Sequence, residues 1–521
     1  AFLRKNKKSL NNRPSKNSLD VLNPPKFGSP LNSGVGIMDQ SSITPNTSNQ
    51  QLVINGDNDS ATALLHEKQS RRRDNLRDVS FIEYMTVGVL CFVNLINYMD
   101  RFTLAGVLGD VKKEFSIRDD EAGFLQTVFV IAYMVFAPIF GYMGDRFSRR
   151  TIMAFGVALW CITTFIGSFI TNFYLFAFFR GLVGIGEASY STIAPTIISD
   201  LFVGNVRSKM LAFFYFAIPV GSGFGYIVGS VAGAAAGNWR WGLRVTPFLG
   251  VVAVGLIVWV MENPERGQAE ESRMKPTSYV DDLKALIRNP SFMLSTLAFT
   301  CVAFVTGALA WWGPQFIFLG LSMQPGVDIT IERVSLVFGG LTMASGLVGV
   351  PLGAWLGAWL VRRWGCAHAV ICGTGLLLSA PAMAGALLLT ESYFYAPFAL
   401  MFIGELALNL NWAIVADMSL YVVIPPRRST AEAFQILISH MFGDAGSPYL
   451  VGVISESLKK SLSPLPFEAP SQIVQFKALQ YALFVTCFVE VIGGIFFLIT
   501  AIYIVRDKLK VDRAIAGLFL D

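Results

Sequence analysis

The stretch Gly141-Tyr-Met-Gly-Asp-Arg-Phe-Ser-Arg-Arg150 combines two glycines, one acid and three arginines in ten residues. Long apolar runs lie on both sides of it, at residues 120–143 and 151–171. A short turn of this kind can form interhelix charge pairs that hold one conformation, or it can simply anchor the positively charged side of a membrane protein. We predict that it is a conformational latch built from Gly141, Asp145, Arg146, Arg149 and Arg150.

The composition of the whole chain indicates a polytopic membrane protein. Of its 521 residues, 53% are hydrophobic and 15% are charged, whereas charged residues make up about 25% of a typical soluble domain. Residues 1–80 hold twelve Lys or Arg and seven Asp or Glu, which accounts for the net charge of +5. A basic tail on such a chain indicates contact with membrane lipids or control of topology, and no nucleic-acid partner.

Twelve apolar runs after residue 80 are long enough for a helix to cross the bilayer, which takes about 20 residues. Their predicted bounds are 81–105, 120–143, 151–171, 173–200, 208–232, 243–261, 291–319, 334–361, 366–389, 394–422, 431–456 and 477–505. We therefore predict an all-α membrane protein with two six-helix bundles.

Composition also divides the chain into five regions. They are a disordered tail at 1–80, a first bundle at 81–261, a polar linker at 262–290, a second bundle at 291–505 and a tail at 506–521. The linker has one amphipathic segment, and we expect a short helix near Tyr279–Ile287. Lys and Arg collect near the helix ends on the side of the two tails, so both termini are expected in the cytoplasm.

Charged and polar residues inside the spans are candidates for a proton or substrate site, because each charge costs about 2.5–3.5 kcal/mol at the bilayer centre. Asn97 and Arg101 share one face of the first span, with Asp100 beside them. Arg180 and Glu187 lie two turns apart on one face of the fourth span, so the arginine can reach toward that acid. The alternative is a salt bridge with a purely structural role.

The eleventh span carries His440 and Asp444 four residues apart on one face. A histidine titrates near neutral pH, so His440 can carry a proton or meet a phosphate, unless it is only a satisfied buried side chain. Glu405 and Glu490 are single acids on otherwise apolar spans. Trp311 and Trp412 can line an apolar substrate path, the alternative being packing in the core or against lipid.

Two spans carry glycines at every fourth position, which lets helices approach closely in lipid. We expect these stripes to pack the fifth span against the eighth, although static packing elsewhere uses the same pattern. The stripes are Gly221, Gly225, Gly229 and Gly233 in the fifth span and Gly349, Gly353 and Gly357 in the eighth. The six cysteines lack zinc or disulfide spacing, and we predict no metal and no cofactor.

The turn at 141–150 resembles the signature loop of the major facilitator superfamily. Further stretches resemble one of its families, the Spinster transporters; they lie at 94–106, 180–195, 214–223, 411–417 and 440–449. The resemblance implies transport of lysophospholipids or sphingosine phosphates, in some members linked to protons. The chain is most similar to the lysosomal lysophospholipid branch.

The combined reading assigns roles to named residues. Proton coupling is expected at Asp100, Glu187 and His440. Substrate binding is expected at Asn97, Arg101, Arg180, Trp311, Trp412 and His440. The resemblance itself implies functional roles only for Asp100, Arg101, Arg180, Glu187 and His440.

We thus predict a monomeric transporter that moves lysophospholipids or related sphingolipids by alternating access, linked to protons and in contact with membrane lipids. The resemblance implies a lysosomal or late endosomal membrane, with the plasma membrane as the second choice. One alternative is a major facilitator for a small organic anion or sugar. A membrane enzyme or receptor is another, but the chain has no nucleophile elbow, P-loop or zinc-protease motif.

Overall fold

The structure is a computed structural model that describes residues 79–144, 147–202, 204–264, 279–424, 427–463 and 470–515. Within these ranges the chain is helical and has no strand. Most of the predicted tail 1–80, the linker residues 265–278 and the last residues of the C-terminal tail lie outside the described residues. Asp145 and Arg146 of the predicted latch lie outside them as well.

The first half of the described chain forms six long helices and one short helix. Their bounds are α1 Phe81–Gly106, α2 Leu108–Phe115, α3 Asp119–Gly144, α4 Arg149–Gly167, α5 Phe173–Leu201, α6 Gly204–Ala235 and α7 Arg240–Trp259. Side-chain caps start three of them, at Ser80, Ser148 and Asn172. Each cap oxygen accepts a backbone N–H that the first helical turn leaves without a partner.

The second half begins with the short helix that the linker sequence predicts. The bounds are α8 Tyr279–Ile287, α9 Pro290–Leu321, α10 Ile331–Leu360, α11 Ala367–Leu389, α12 Ala396–Asn409, α13 Asn411–Val422, α14 Arg428–Ser439, α15 Ser447–Leu462 and α16 Gln472–Ile515. A π-helical segment, His440–Asp444, lies between α14 and α15. The twelfth span is longer than predicted, since α16 continues as a helix past residue 505.

Ten helical spans in the described part of the chain are both long and apolar enough to cross a membrane. The remaining two of the twelve predicted spans fail that test for visible reasons. Helix α5 carries Arg180 and Glu187, which lower its hydropathy, and the π-helical segment interrupts the eleventh span. The described helices therefore provide twelve crossings in two six-helix bundles, as the sequence predicts.

The glycine stripes do not pack the fifth span against the eighth, so this expectation is wrong. Gly221, Gly225 and Gly229 of α6 lie against the backbone of α1, in the same bundle. Gly349 and Gly353 of α10 lie against the end of α12 and Leu410. The stripes serve the close backbone contacts inside each bundle, where two helices run side by side over several turns.

Helices α6 and α10 nevertheless meet across the two bundles, through other small residues. Gly223 packs on the backbone of Gly339, and Gly346 packs on the ring of Pro219. On the opposite flank, Gly123 of α3 faces the backbone of α15 at Pro448. These contacts lie toward the side of the molecule where α2 is found, which we call the cap side; the side where α1 begins and α16 ends is the tail side.

Candidate functional site

Asp100 lies at the junction of four helices in the first bundle and is fully buried. Its carboxylate accepts hydrogen bonds from Thr246 of α7 and from Thr164 of α4, the latter at 3.4 Å. Nη1 of Arg180 on α5 lies 3.6 Å from Oδ2 of Asp100. The acid therefore ties α1, α4, α5 and α7 together around one buried ion pair.

Arg101, the next residue on α1, reaches across to the second bundle. Its Nη2 donates to Oδ2 of Asp444 at 2.8 Å, and Oδ1 of Asp444 lies 2.8 Å from Nδ1 of His440. The backbone N–H of Ala445 donates to the carbonyl of His440 at 3.0 Å, which closes the π-helical turn. Such a turn adds one residue to a helix and is frequent at functional sites.

Both arginines lie over the ring of Phe129 on α3. The guanidinium carbon of Arg101 is 5.2 Å from the ring centroid, and that of Arg180 is 4.9 Å away. The negative face of an aromatic ring attracts cations, and each arginine has an acid of its own. Phe129 thus lets two positive charges lie close together at the contact of the two bundles.

Glu187 is the acid of this cluster that forms no ion pair within the described residues, although Arg101 and Arg180 lie near it. It is 1% exposed, and its Oε1 has no hydrogen-bond partner among the described residues. The amide nitrogen Nδ2 of Asn97 is buried next to Glu187 and forms no well-aligned hydrogen bond among the described residues. Arg180 forms its ion pair with Asp100 on the neighbouring helix α1 and not with Glu187, although it lies close enough to Glu187 to interact with its charge. A face shared within one helix does not show which acid the arginine pairs with.

The structure gathers Asn97, Asp100, Arg101, Arg180 and Glu187 on two helices, as the sequence predicts. The ring of His440 joins them through Asp444 and lies 5.9 Å from the ring of Tyr133. Trp311 and Trp412, which the sequence predicts as substrate-binding residues, lie in apolar surroundings and not among these charges. Trp311 is buried in the core of the second bundle, whereas Trp412 is 41% exposed and packs edge-on against Phe299 at 5.1 Å.

The described part of the predicted latch contains one ion pair. Arg149 at the start of α4 is buried and pairs with Asp200 at the end of α5. Gly141 has open space at its Cα, and Arg150 is exposed. Sequence reasoning missed Asp200 as the partner, although an acid at the end of a predicted span is a visible signal.

The matching place in the second bundle holds a histidine. His368 at the start of α11 is buried, and its Nδ1 lies 3.0 Å from the hydroxyl of Tyr421 on α13. The tail-side ends of the two bundles thus use an arginine–acid pair in one case and a histidine–tyrosine contact in the other. Sequence reasoning missed His368, because no pattern on its own span marks it.

A second charged contact between the bundles closes the cap side. The side chain of Asp119 on α3 is 2% exposed and lies 2.5 Å from Nζ of Lys459 on α15. Ser455 donates to the same carboxylate at 2.6 Å, and Lys112 of α2 pairs with it too. The backbone N–H of Asp119 donates to Glu456 at 3.0 Å. We call these five residues the cap cluster.

Glu405 of α12 is a further acid without a cation in the described structure. Ser345 donates to it at 2.9 Å and Thr342 at 3.3 Å, both from α10. It is partly exposed, unlike Glu187. No group of His, Cys, Asp and Glu in the described ranges is arranged to hold a metal ion.

Comparison with known proteins gives the family of this chain. Residues 90–448 match the model of the Major Facilitator Superfamily. "Protein spinster" of Drosophila melanogaster is 57% identical over 484 residues, covering 84% of this chain and 80% of that protein. "Protein spinster homolog 1" of Homo sapiens is 51% identical over 447 residues, covering 83% of each.

Solved structures agree with this assignment at the level of the fold. An inward-facing, unoccupied structure of a bacterial homologue of the human lysosomal transporter Spinster matches with a TM-score of 0.73 at 19% identity, covering 82% of this chain and 99% of that one. A D-xylose–proton symporter matches with a TM-score of 0.61 at 15% identity, covering 80% and 97%. The chain belongs to the Spinster family of the major facilitator superfamily, and it is a multi-pass membrane transporter and not an enzyme.

Proposed function

We propose that the protein transports lysophospholipids or related sphingolipids by alternating access, and that transport is linked to protons. The observation that carries this proposal is the chain from Arg101 through Asp444 to His440, which joins the two bundles beside the unpaired Glu187. An anionic head group needs a permanent cation, which Arg101 provides. A proton needs a base or a buried acid without an ion pair, which His440 and Glu187 provide. A lipid substrate is what the resemblance of the motifs to the Spinster transporters implies.

The substrate step begins at Arg101. A lipid phosphate competes with Asp444 for the guanidinium, because arginine binds carboxylate and phosphate in the same two-pronged way. When the phosphate takes Arg101, Asp444 is left with His440 alone. The pair can then bind a proton, since a buried carboxylate that loses its cation is costly to keep charged.

Glu187 and Asp100 form the second proton-binding part of the proposal. A carboxyl group that is buried without a cation is stable in its neutral form and unstable as an anion. Arg180 can move from Asp100 toward Glu187 or toward the substrate, and each move changes which acid holds a proton. The amide of Asn97 lies beside Glu187 and can donate either to that acid or to the head group.

The proposed orientation places both termini in the cytoplasm and the cap side in the lumen of a lysosome or late endosome. The positive charge near the tail-side helix ends supports this orientation. The lumenal assignment is supported by the bacterial structure, whose description names the human Spinster as a lysosomal transporter. With the cap cluster formed, the lumenal side is closed.

The test is uptake of lysophosphatidylcholine into proteoliposomes with and without a pH gradient. We expect Glu187→Gln to keep substrate binding and to lose the pH dependence of transport. Arg101→Ala should abolish transport, and a thermal melt of the same sample checks that it folds. Arg288→Gln is the matched control, since Arg288 is an exposed arginine between α8 and α9 that has no part in the charged cluster or the latch.

Two results would contradict the proposal. If lysophosphatidylcholine neither binds nor competes while a soluble anion or sugar does, the protein is a carrier of small solutes. If Glu187→Gln and Asp100→Asn both keep the full pH dependence, the proton site lies elsewhere.

A further inference from the structure

Arg244 is a cation held in a fixed position on the outer surface of the first bundle. It lies one turn after the start of α7, on the cap side. Its Nε donates to Oγ of Ser168 at 3.0 Å. Its guanidinium lies over the ring of Phe169, at 4.2 Å from the centroid, and over the ring of Trp241, at 4.8 Å. Three contacts therefore fix the direction in which the guanidinium points.

Arg244 forms no ion pair with a carboxylate in the described part of the chain. Arg240, one turn earlier, takes the nearby acid, because its Nη2 lies 2.7 Å from Oε1 of Glu114. Asp100, deeper in the bundle, is bound by Arg180 and by Thr246, which lies on α7 like Arg244. The guanidinium of Arg244 thus keeps terminal N–H donors that no protein anion uses.

The surface around Arg244 is apolar and faces outward. Trp241 is 44% exposed, Phe169 is 57% exposed and Phe248, two turns into α7, is 61% exposed. Phe248 also packs edge-on against Phe165 of α4 at 6.2 Å. Tryptophan near the end of a membrane helix marks the level of the lipid head groups, so Trp241 places Arg244 at that level and the exposed Phe248 beside the acyl chains.

We propose that Arg244, Trp241, Phe169 and Ser168 form a binding site for the phosphate of a membrane phospholipid in the cap-side leaflet. Both rings lie within 5 Å of the guanidinium and Ser168 uses only its Nε, so the two terminal nitrogens are left for phosphate, which arginine binds through such a fork of donors. The acyl chains lie along α4 and α7 over Phe165 and Phe248. This outward-facing site is separate from the charged cluster at Arg101 and does not depend on which substrate is transported.

A phospholipid fits this site better than a free anion does. A phosphate ion would use only the edge of Arg244 and would leave the exposed rings next to it in contact with bulk lipid. A phospholipid uses both parts, because its head group and chains are joined at the depth where Arg244 and Phe248 lie. The retained lipid would brace α4 against α7 on the face opposite to Asp100.

The test is native mass spectrometry of the full chain, purified in detergent and mixed with phosphatidylglycerol. We expect Arg244→Gln to lower the fraction of protein carrying bound lipid by about fivefold, the effect of one basic residue near an anionic lipid. Trp241→Ala should lower it as well. Arg118→Gln is the matched control: Arg118 lies on the same side, but it is exposed and paired with Asp120. A thermal melt without added lipid checks that each variant folds.

Three results would overturn this site. One is an unchanged lipid-bound fraction in Arg244→Gln. Another is equal retention of diacylglycerol, which has the chains and no phosphate. The third is displacement of the lipid by millimolar inorganic phosphate, which would assign the site to a free anion.

Discussion

Asp119→Asn should open the cap side, because Asp119 carries most of the charged contact between the bundles there. Its carboxylate is 2% exposed and meets Lys459, Lys112 and Ser455. The substitution keeps the size of the side chain and removes its charge. Both lysines then lose a buried partner, and only Lys459 keeps another acid, Glu456 at 2.8 Å.

The size of the effect follows from the burial of the pair. Breaking a buried ion pair by removing one partner costs about 3–5 kcal/mol. The remaining Glu456 contact favours the lower end, about 3 kcal/mol, which is on the order of a 100-fold change in the equilibrium between closed and open cap sides. If about 1% of the molecules are open at rest, the two states become about equally populated.

Distance measurements between spin labels on the two sides of the cap can detect this change. Arg118→Cys and Lys460→Cys place one label on each bundle, in a chain whose six native cysteines are replaced. We expect a second, longer distance in Asp119→Asn and a single short distance without it. Asp110→Asn is the control, because the side chain of Asp110 is 46% exposed and its ion pair in the described structure, with Lys113, lies within α2.

A single, unchanged distance in Asp119→Asn would refute the reasoning. It would mean that the packing of Gly123 on Pro448 and of Gly452 on the backbone of Asp119 holds the cap side closed without the charges.

Three further predictions concern stability. Gly225→Ala should lower the free energy of unfolding by about 1–3 kcal/mol, since the new Cβ would lie 2.6 Å from the carbonyl oxygen of Met99. Gly88→Ala is the control: Gly88 has open space around it, so the melting temperature should stay unchanged. Arg149→Ala should cost about 3 kcal/mol in a denaturation experiment because it breaks a buried ion pair, and Arg150→Ala should cost little because Arg150 is exposed. Equal effects would contradict the pairing. Burial alone would raise the pKa of Glu114, but hydrogen bonds from Arg240 and Trp239 outweigh burial and lower the pKa below 4.5. The charged Glu114 therefore stabilises the fold above pH 4.5, and this stabilisation is lost as the pH falls through the lowered pKa. Melting curves of the unmodified protein and Glu114→Gln should therefore differ at pH 7 and converge in acid; a constant difference would contradict the assignment.

Apolar run length and charge position were sufficient to predict the twelve crossings, the short helix α8 and the helices that carry the charged cluster. These features depend on the bilayer thickness and on the cost of a charge in lipid, which act on each span separately. The partner of each charge could not be predicted in this way. Arg180 lies on the same face of α5 as Glu187, yet the acid it meets is Asp100 on α1.

The contacts between bundles were the part least accessible from the sequence. Asp119 and Lys459 lie at helix ends in different halves of the chain, where charges are common and carry no pattern. The glycine stripes are a pattern, but they mark any close helix contact, and the contacts inside a bundle outnumber those between bundles. Gly223 and Gly339, which do connect the bundles, belong to no regular repeat that covers both helices.

The two charged links between the bundles differ in what can replace them, and this difference gives an order of events under the proposed function. Arg101 and Asp444 form the central link, and a lipid phosphate with a proton can substitute for it charge by charge. The cap cluster is backed by backbone contacts of Gly123 and Gly452, which exist only while the helices are in close approach. Both links attach the eleventh crossing to the first bundle, and the π-helical segment carries the central one at Asp444. Substrate and proton therefore act first at the centre, and the cap side opens only after the central link no longer holds that helix.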